Sequence, residues 1–429
     1  MTLIEIQRIG IDFGTSNTAA SVSGLRHGNP IHEIIPLDDR DLLKSLLYFP
    51  SPRESYFGKA AIEKYFENER EGRFFQSIKR LLPNPDFSGT QISGRFVSLE
   101  NLISRFLAEA KKRIEIKFDQ SISEKEIVFG RPALYSLDEA REKLATTRFH
   151  EAIRLAGFQN YSLLEEPTAA SRVAIKKSQG IPTKEKVTLV ADLGGGTSDF
   201  TVLHQSDSGA HRVLAVHGIP LAGDALDSTF VSNRLLPYFG SEVKYQRPFS
   251  SNILTFPTSL ISRIPKWHQH VILKEKSNWN FLLDLKKELV NPSDKKVLEN
   301  IITLVDENLG YQLHQSVERL KIAIASSQQD QNEEKNFEFR SYPIDIQFGV
   351  QRMQYEEIIQ GVARQITETA AETLRLAGIQ PSQIDVLHFT GGTSQVPVLR
   401  KSIAAVVPQA VIEDQDSFTS VALGLSLNA

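Results

Sequence analysis

The residues most able to do chemistry lie together between Val187 and Leu203. An apolar, β-branched run ends in Asp192; Leu193 and the glycines Gly194, Gly195 and Gly196 follow, then Thr197, Ser198 and Asp199, and a second β-branched run leads away. Two such runs with a glycine turn between them predict a hairpin. Glycines at its tip let backbone N–H groups approach an anion closely, since no Cβ intervenes and positive φ costs little. Thr197 and Ser198 add hydroxyl donors, and Asp192 at the strand end can face a magnesium ion and its waters. A glycine-rich turn flanked by solvated acids is the other reading. Short glycine motifs recur too often for this stretch alone to decide.

A second copy strengthens the phosphate reading. Near the start of the chain, Ile9-Gly10-Ile11-Asp12-Phe13-Gly14-Thr15-Ser16-Asn17-Thr18 repeats the pattern of apolar strand, acid, glycine turn and hydroxyl residues, and runs into Ala19-Ala20-Ser21-Val22. Two hairpins, each with one acid and hydroxyl donors, can clamp one phosphate chain from opposite sides.

The elements that must position these hairpins recur in one order. After the first come a helix over Asn101–Phe118, a strand Ile127-Val128-Phe129 stopped by Gly130-Arg131-Pro132, and a helix ended by Gly157 with Ser136 and Glu139 as its capping box. A strand from Tyr161 and a helix opened by Glu165-Glu166-Pro167 complete the set. After the second come a helix Gln354–Ala377, a strand Val386–Thr390 stopped by Gly391-Gly392-Thr393, a helix Val396–Val406, a strand ending at Glu413 and Asp414, and a helix Thr419–Leu427. Two prolonged interruptions break this order. In the first, a helical run is expected from Phe57 to about Leu82, carrying Lys79. In the second, a long helix is expected from Ser293 to Ser326, followed by a polar turn Gln328–Lys335.

Composition sets the outer bounds. The 429 residues allow two large domains or four smaller ones. A net charge of −3 gives no basic footprint for nucleic acid, and the absence of cysteine excludes disulfides and cysteine-based zinc sites. A strand beginning within a few residues of Met1 argues against a signal peptide, and no apolar run is long enough for a bilayer, so a cytoplasmic protein without a membrane partner is expected.

These motifs resemble the ATPase domain of the seventy-kilodalton heat-shock chaperones (DnaK-type), within the actin-like ATPase superfamily. The resemblance rests on the two hairpins, on Glu166-Pro167-Thr168-Ala169-Ala170 and on the turn from Gly391 to Pro397, in that order. Gly130-Arg131-Pro132, Lys321-Ile322-Ala323 and Ala222-Gly223-Asp224 look closer to the shorter YegD-like chaperones, which lack a peptide-binding domain. The resemblance implies an α/β fold of duplicated, ribonuclease H-like lobes, each with an inserted subdomain. Lobe I would cover 1–185, with its insertion over 26–94 and core elements over 95–185. Lobe II would cover 186–429, with its insertion over 228–348 and core elements over 186–227 and 349–429.

It also implies ATP or ADP with Mg2+ as cofactors. Asp12 and Asp192 would hold the metal through water, and Gly14, Thr15, Ser16, Gly194, Gly195, Gly196 and Thr197 would donate to the phosphates. Lys79 matches the lysine that holds the γ-phosphate and attacking water; taken alone it would read as a solvated helix lysine. Glu166 and Asp199 would orient water, and Glu166 also reads as a helix N-terminal acid. Gly223, Glu318, Lys321, Gly391, Gly392 and Thr393 would line the nucleotide. The base side departs from the family: Ile322 and Gln395 stand where stacking arginines are expected, which predicts looser base selection. Trp267, Trp279, His268 and His270 read as packing or surface residues rather than a ligand site. The implied function is a slow, Mg-dependent ATPase of chaperone type whose lobes open and close with nucleotide and whose output needs a protein partner or client. An actin-like filament former and a nucleotide sensor or scaffold with little turnover are the alternatives.

Overall fold

The computed structural model describes residues 4–38, 42–68, 71–132, 134–136, 138–177, 185–206, 211–326, 333–414 and 419–427. By compactness the chain divides into two units, one of Met1–Ala222, Ile366–Ser394 and Lys401–Ala429, the other of Gly223–Gln365 and Gln395–Arg400.

The first unit contains two sheets of the same topology. Strands β1 (Ile4–Phe13), β2 (Asn17–Arg26) and β3 (Asn29–Ile35) are followed by helix α1 (Leu99–Phe118), strand β4 (Glu126–Arg131), helix α2 (Glu139–Leu155), strand β5 (Tyr161–Glu165) and helix α3 (Glu166–Lys177). The order then repeats: β6 (Lys186–Leu193), β7 (Ser198–Gln205), β8 (His211–Ile219), α4 (Arg352–Ala377), β9 (Val386–Thr390), α5 (Pro397–Val406), β10 (Val411–Asp414) and α6 (Ser420–Ser426). The first sheet runs β5-β4-β1-β2-β3, with the two-residue strand Leu43–Lys44 added beside β2, and the second runs β8-β7-β6-β9-β10, so one five-strand arrangement is built twice. The α/β class with duplicated halves expected from the sequence is the fold observed. The strand that joins each glycine-tipped hairpin as its third antiparallel member, β3 or β8, was not read from the sequence.

Both hairpins form as expected. In β1·β2 the register sets Asp12 opposite Ala19 and Phe13 opposite Thr18; in β6·β7 it sets Asp192 opposite Asp199 and Leu193 opposite Ser198. Parallel pairing then brings a neighbouring strand end beside each acid: β4 ends near Asp12, and Thr390 of β9 lies opposite Asp192. Phe13 anchors the first hairpin in the core, with its ring centroid 5.5 Å from Phe106 and 6.1 Å from Phe149. Helix α6 packs back on the first sheet. Ser21 Oγ donates to Ser426 Oγ at 2.7 Å and Arg8 Nη1 to the Leu427 carbonyl at 2.7 Å, and a Cβ on Gly10 would lie 2.6 Å from the Ala422 carbonyl. α6 also crosses α3 so closely that a Cβ on Gly424 would lie 1.7 Å from the Ala169 carbonyl.

Three local expectations are corrected. The helical run from Phe57 stops at Glu67; the chain re-enters as a strand, Arg73–Gln76, and then a 3-10 turn, Ile78–Leu81, which carries Lys79. Phe74 and Phe75 pair with Tyr48 and Leu47 across a small sheet, and their rings pack on Tyr48 and Phe49, so cross-strand pairing overrides the helical pattern. The cap of α2 is Asp138, whose side chain accepts from the Arg141 N–H, and Glu142 rather than Glu139 reaches back to backbone N–H groups, those of Tyr135 and Ser136. The long helix from Ser293 is two helices, Lys295–Asp306 and Gly310–Ser326. Asn308 at φ 52 turns the chain between them, and a Cβ on Gly310 would sit 2.4 Å from the His270 ring. Most of the polar turn expected after Ser326 lies outside the described residues.

In the second unit, Trp267 packs edge-on against Tyr311 at 5.5 Å, and buried His270 reaches the Ile264 carbonyl at 3.0 Å. Both are packing residues, whereas the side chain of His268 lies outside the described set. No helix among the described residues is long and apolar enough to cross a membrane.

Candidate nucleotide site

The strand ends of the first unit bring five charged side chains together. Lys79, buried on its 3-10 turn, donates from Nζ to Glu166 Oε1 at 2.6 Å, and both side chains are largely withdrawn from solvent. A charge pair held this deep must be closely compensated to persist. Here three further carboxylates surround it. Burial raises the Asp12 carboxyl from 3.8 to about 7, assisted by the Glu166 charge and opposed by Lys79. Burial raises Asp199 to about 7 as well; the Thr197 hydroxyl bonded to it pulls the other way. Asp192 is pushed well above the carboxylate range, first by burial and then by the charges of Glu166, Asp199 and Asp12. Burial works against the Lys79 ammonium, but Glu166, Asp12 and Asp192 outweigh it and hold its pKa above the ordinary value.

Close backbone approach is what lets these groups converge. A Cβ on Gly130 would lie 3.2 Å from Glu166 Cγ and 3.5 Å from Asp12 Oδ1. The counterpart in the second sheet, Gly391, adopts φ +78, and a Cβ there would meet the Leu193 carbonyl at 2.3 Å and Asp192 Oδ1 at 2.8 Å. Each strand-ending glycine thus makes room for the neighbouring acid. The two hairpin tips also meet, because a Cβ on Gly196 would sit 3.0 Å from Thr15 Cγ2 and 2.4 Å from Arg80 Cδ.

A divalent cation suits this donor set. Asp12 Oδ1 is buried without a hydrogen-bond partner among the described residues, and four carboxylates face one ammonium. No group of three or more His, Cys, Asp or Glu side chains among the described residues is arranged to hold a metal directly. Carboxylates at strand ends can hold a metal that keeps much of its water shell, as Mg2+ does.

Among proteins of known family, the Hsp70 protein family model matches residues 83–248 and 293–429. The chain belongs to the Hsp70 family. Its fold is accordingly that of the actin-like ATPases. It is similar to chaperone protein DnaK of Mycoplasmoides gallisepticum, 24% identical over 407 residues that cover 93% of this chain and 56% of that protein. It is also similar to chaperone protein DnaK of Thermus thermophilus, 23% identical over 444 residues, 98% of this chain and 60% of that protein. The chain thus spans under two thirds of the length of these relatives. Asp12 and Lys79 precede the first matched segment, so their place in the site rests on the geometry above.

Of the residues singled out in the sequence, Asp12, Lys79, Glu166, Asp192 and Asp199 act on one another electrostatically, and Thr15 and Gly196 abut. Ser16 and Gly14 stand at the first tip, Gly194 and Gly195 at the second, and Gly392 opens the turn after β9. Thr393 is buried, with its hydroxyl donating to the Gly194 carbonyl at 2.6 Å. Gly223, Glu318 and Lys321 belong to the second unit of this Hsp70-family chain. There Lys321 Nζ is bound to Asp227 at 2.7 Å and lies 3.5 Å from the Gly223 carbonyl; Glu318 is exposed and Ile322 is 56% exposed.

Three residues at the site, Arg80, Tyr135 and Arg148, escaped sequence reading, and Arg131 was marked only as part of Gly130-Arg131-Pro132. Arg80 lies against the second tip, and its place beside Lys79 was the available signal. Arg131 pairs with Glu142 and covers the Tyr135 ring at 5.5 Å, and burial together with Glu166 raises the Tyr135 hydroxyl well above its ordinary value. Arg148, 8% exposed, holds the carbonyls of Leu82 at 3.1 Å and Asn84 at 2.9 Å while pairing with Glu100 at 3.3 Å, which fixes the turn that carries Lys79. Spacing gave no sign that helix α2 would reach that turn.

Proposed function

We propose that this chain binds ATP and ADP with Mg2+ and hydrolyses ATP slowly to ADP and phosphate, as a chaperone-like protein of the cytoplasm that passes its nucleotide state to protein partners or clients. The observation that carries this reading is the buried Lys79–Glu166 pair set against Asp12, Asp192 and Asp199 where two glycine-tipped hairpins meet.

Asp12 and Asp192 would hold Mg2+ through its waters, Asp12 with an oxygen that has no hydrogen-bond partner among the described residues. When bound, the metal neutralises charge on the β- and γ-phosphate oxygens. Backbone N–H groups at Gly14–Ser16 and Gly194–Thr197, with the hydroxyls of Thr15, Ser16 and Thr197, would donate to the phosphates. Fixed donors of this kind stabilise charge that shifts during phosphoryl transfer without reorganising. Lys79 would hold the γ-phosphate and the attacking water. Glu166 and Asp199 would accept hydrogen bonds from that water and set its direction. Because Asp199 titrates near 7, it can also take up the proton that the water loses. Gly391 and Gly392 would let the backbone approach the nucleotide. The two sheets would rotate about Glu165–Ala170 and Thr419–Gly424, where α3 and α6 cross at Gly424 and Ala169.

Single-turnover hydrolysis of wild type beside Lys79→Ala and Asp192→Asn tests the reading. Wild type should exceed both variants by at least tenfold. Equal rates near background would replace the ATPase with a nucleotide sensor, and ATP-dependent sedimentation would replace it with a filament former.

A further inference from the structure

Each hairpin tip is held by one buried hydroxyl from another part of the chain, and both hydroxyls bond the same atom of their respective tips. Ser45, 1% exposed, donates from Oγ to the Gly14 carbonyl at 2.7 Å, and its own N–H donates to the Ser16 carbonyl at 2.9 Å. With its proton committed to Gly14, Ser45 Oγ accepts from the Thr18 hydroxyl at 3.0 Å. In the second tip, Thr393, 5% exposed, donates from Oγ1 to the Gly194 carbonyl at 2.6 Å. Its turn is locked in place by Ser394, whose N–H and Oγ both reach the Gly391 carbonyl, at 3.1 and 2.7 Å. Ser45 and Thr393 come from unrelated stretches of chain, yet they meet the duplicated tips at equivalent positions, the first glycine after each acid-bearing strand.

Peptide planarity gives these bonds a direction. The Gly14–Thr15 and Gly194–Gly195 peptides are trans, so in each the C=O and N–H point opposite ways. A hydroxyl that pins the carbonyl on one side of the tip therefore pins the next N–H, that of Thr15 or Gly195, on the other. Glycine is the residue whose peptide would otherwise rotate most readily. Among the described residues neither of these two N–H groups donates to a backbone carbonyl.

We propose that Ser45 and Thr393 are positioning residues for phosphate binding, each setting one tip peptide so that the N–H of Thr15 or of Gly195 is presented to the nucleotide's phosphates. This rests on the nucleotide reading above and assigns Thr393 to a tip peptide rather than to the ligand. Both hydroxyls act before ligand arrives, so their loss should appear as weaker phosphate binding and leave recognition of the nucleoside untouched.

The test is titration of Mg-ATP and, by ligand-observed NMR, of adenosine against wild type, Ser45→Ala, Thr393→Val and Thr393→Ser. Ser45→Ala and Thr393→Val should each weaken Mg-ATP by about three- to tenfold, the worth of one hydrogen bond. Adenosine should change less than about twofold, and Thr393→Ser, which keeps the hydroxyl, should bind Mg-ATP as wild type does. Unchanged Mg-ATP affinity in both deletion variants would overturn the proposal, as would equal losses for ATP and adenosine, or failure of Thr393→Ser to restore binding. Should Ser45→Ala not fold, the Thr393 pair carries the test alone. A wild type that binds no Mg-ATP would instead overturn the nucleotide reading itself.

Discussion

Replacing Asp12 by Asn should stabilise the ligand-free protein, and should do so only at higher pH. The folded state raises the Asp12 carboxyl from 3.8 to about 7 through burial and the Glu166 charge. Between those values the unfolded chain has lost this proton and the native protein keeps it. Stability therefore falls as pH rises from 4 to 7, opposite to the behaviour of a salt-bridged carboxylate. At about 1.4 kcal/mol per pH unit, the full span is about 4 kcal/mol. Part of it is shared with Asp192 and Asp199, which remain in the variant, so Asp12→Asn should gain about 1–3 kcal/mol at pH 8 and close to nothing at pH 4. The choice of probe matters, because Trp267 and Trp279 both lie in the second unit and fluorescence would follow that unit instead. Hydrogen exchange of β1 and β6 amides at several pH values reads the relevant unit. With saturating Mg-ATP the order should invert, the wild type gaining protection that the variant does not. A variant less stable than wild type at pH 8, or a difference that stays constant with pH, would refute the electrostatic account of the site.

Lys79→Met should cost about 3–5 kcal/mol by stranding the Glu166 charge among other carboxylates, and Lys79→Met with Glu166→Leu should recover most of that stability but none of the hydrolysis; denaturant titration beside an ATPase assay separates the two. Gly424→Ala places a Cβ where the Ala169 carbonyl already lies, so the α3·α6 crossing must open and the melting temperature should drop by several degrees, measured by circular dichroism. With Ile322 and Gln395 in place of stacking cations, Mg-GTP should compete with Mg-ATP to within about tenfold; nanomolar ATP affinity with sharp rejection of GTP in calorimetry would contradict this.

The duplicated order of elements was legible because it is written in local signals: strand periodicity, glycine tips, and a helix ended by Gly157. The same signals located Asp12, Asp192 and Asp199 at strand ends, since antiparallel register follows from a short turn. Local signals failed where tertiary pairing decided the outcome. Phe74 and Phe75 fit a helix face until Tyr48 and Leu47 supply a strand to pair with, so Lys79 was assigned to the wrong element. After the break at Asn308 the second helix starts on Gly310, where any side chain would meet His270 and Trp267, residues well upstream in sequence. Ser45 and Arg148 carry no motif; their roles exist only once the chain has brought Gly14 and Asn84 to them. The compact units likewise ignore the boundary at 185/186 drawn from the repeat, for both sheets share one unit.

The most direct test is a crystal structure with Mn2+ and a non-hydrolysable ATP analogue, using the anomalous signal to locate the metal. The account predicts one peak about 4–5 Å from both the Asp12 and Asp192 carboxylates, the separation a bridging water gives, with the phosphates against Thr15 and Gly195–Thr197. A peak remote from either carboxylate, or phosphates lying away from both glycine tips, would contradict it.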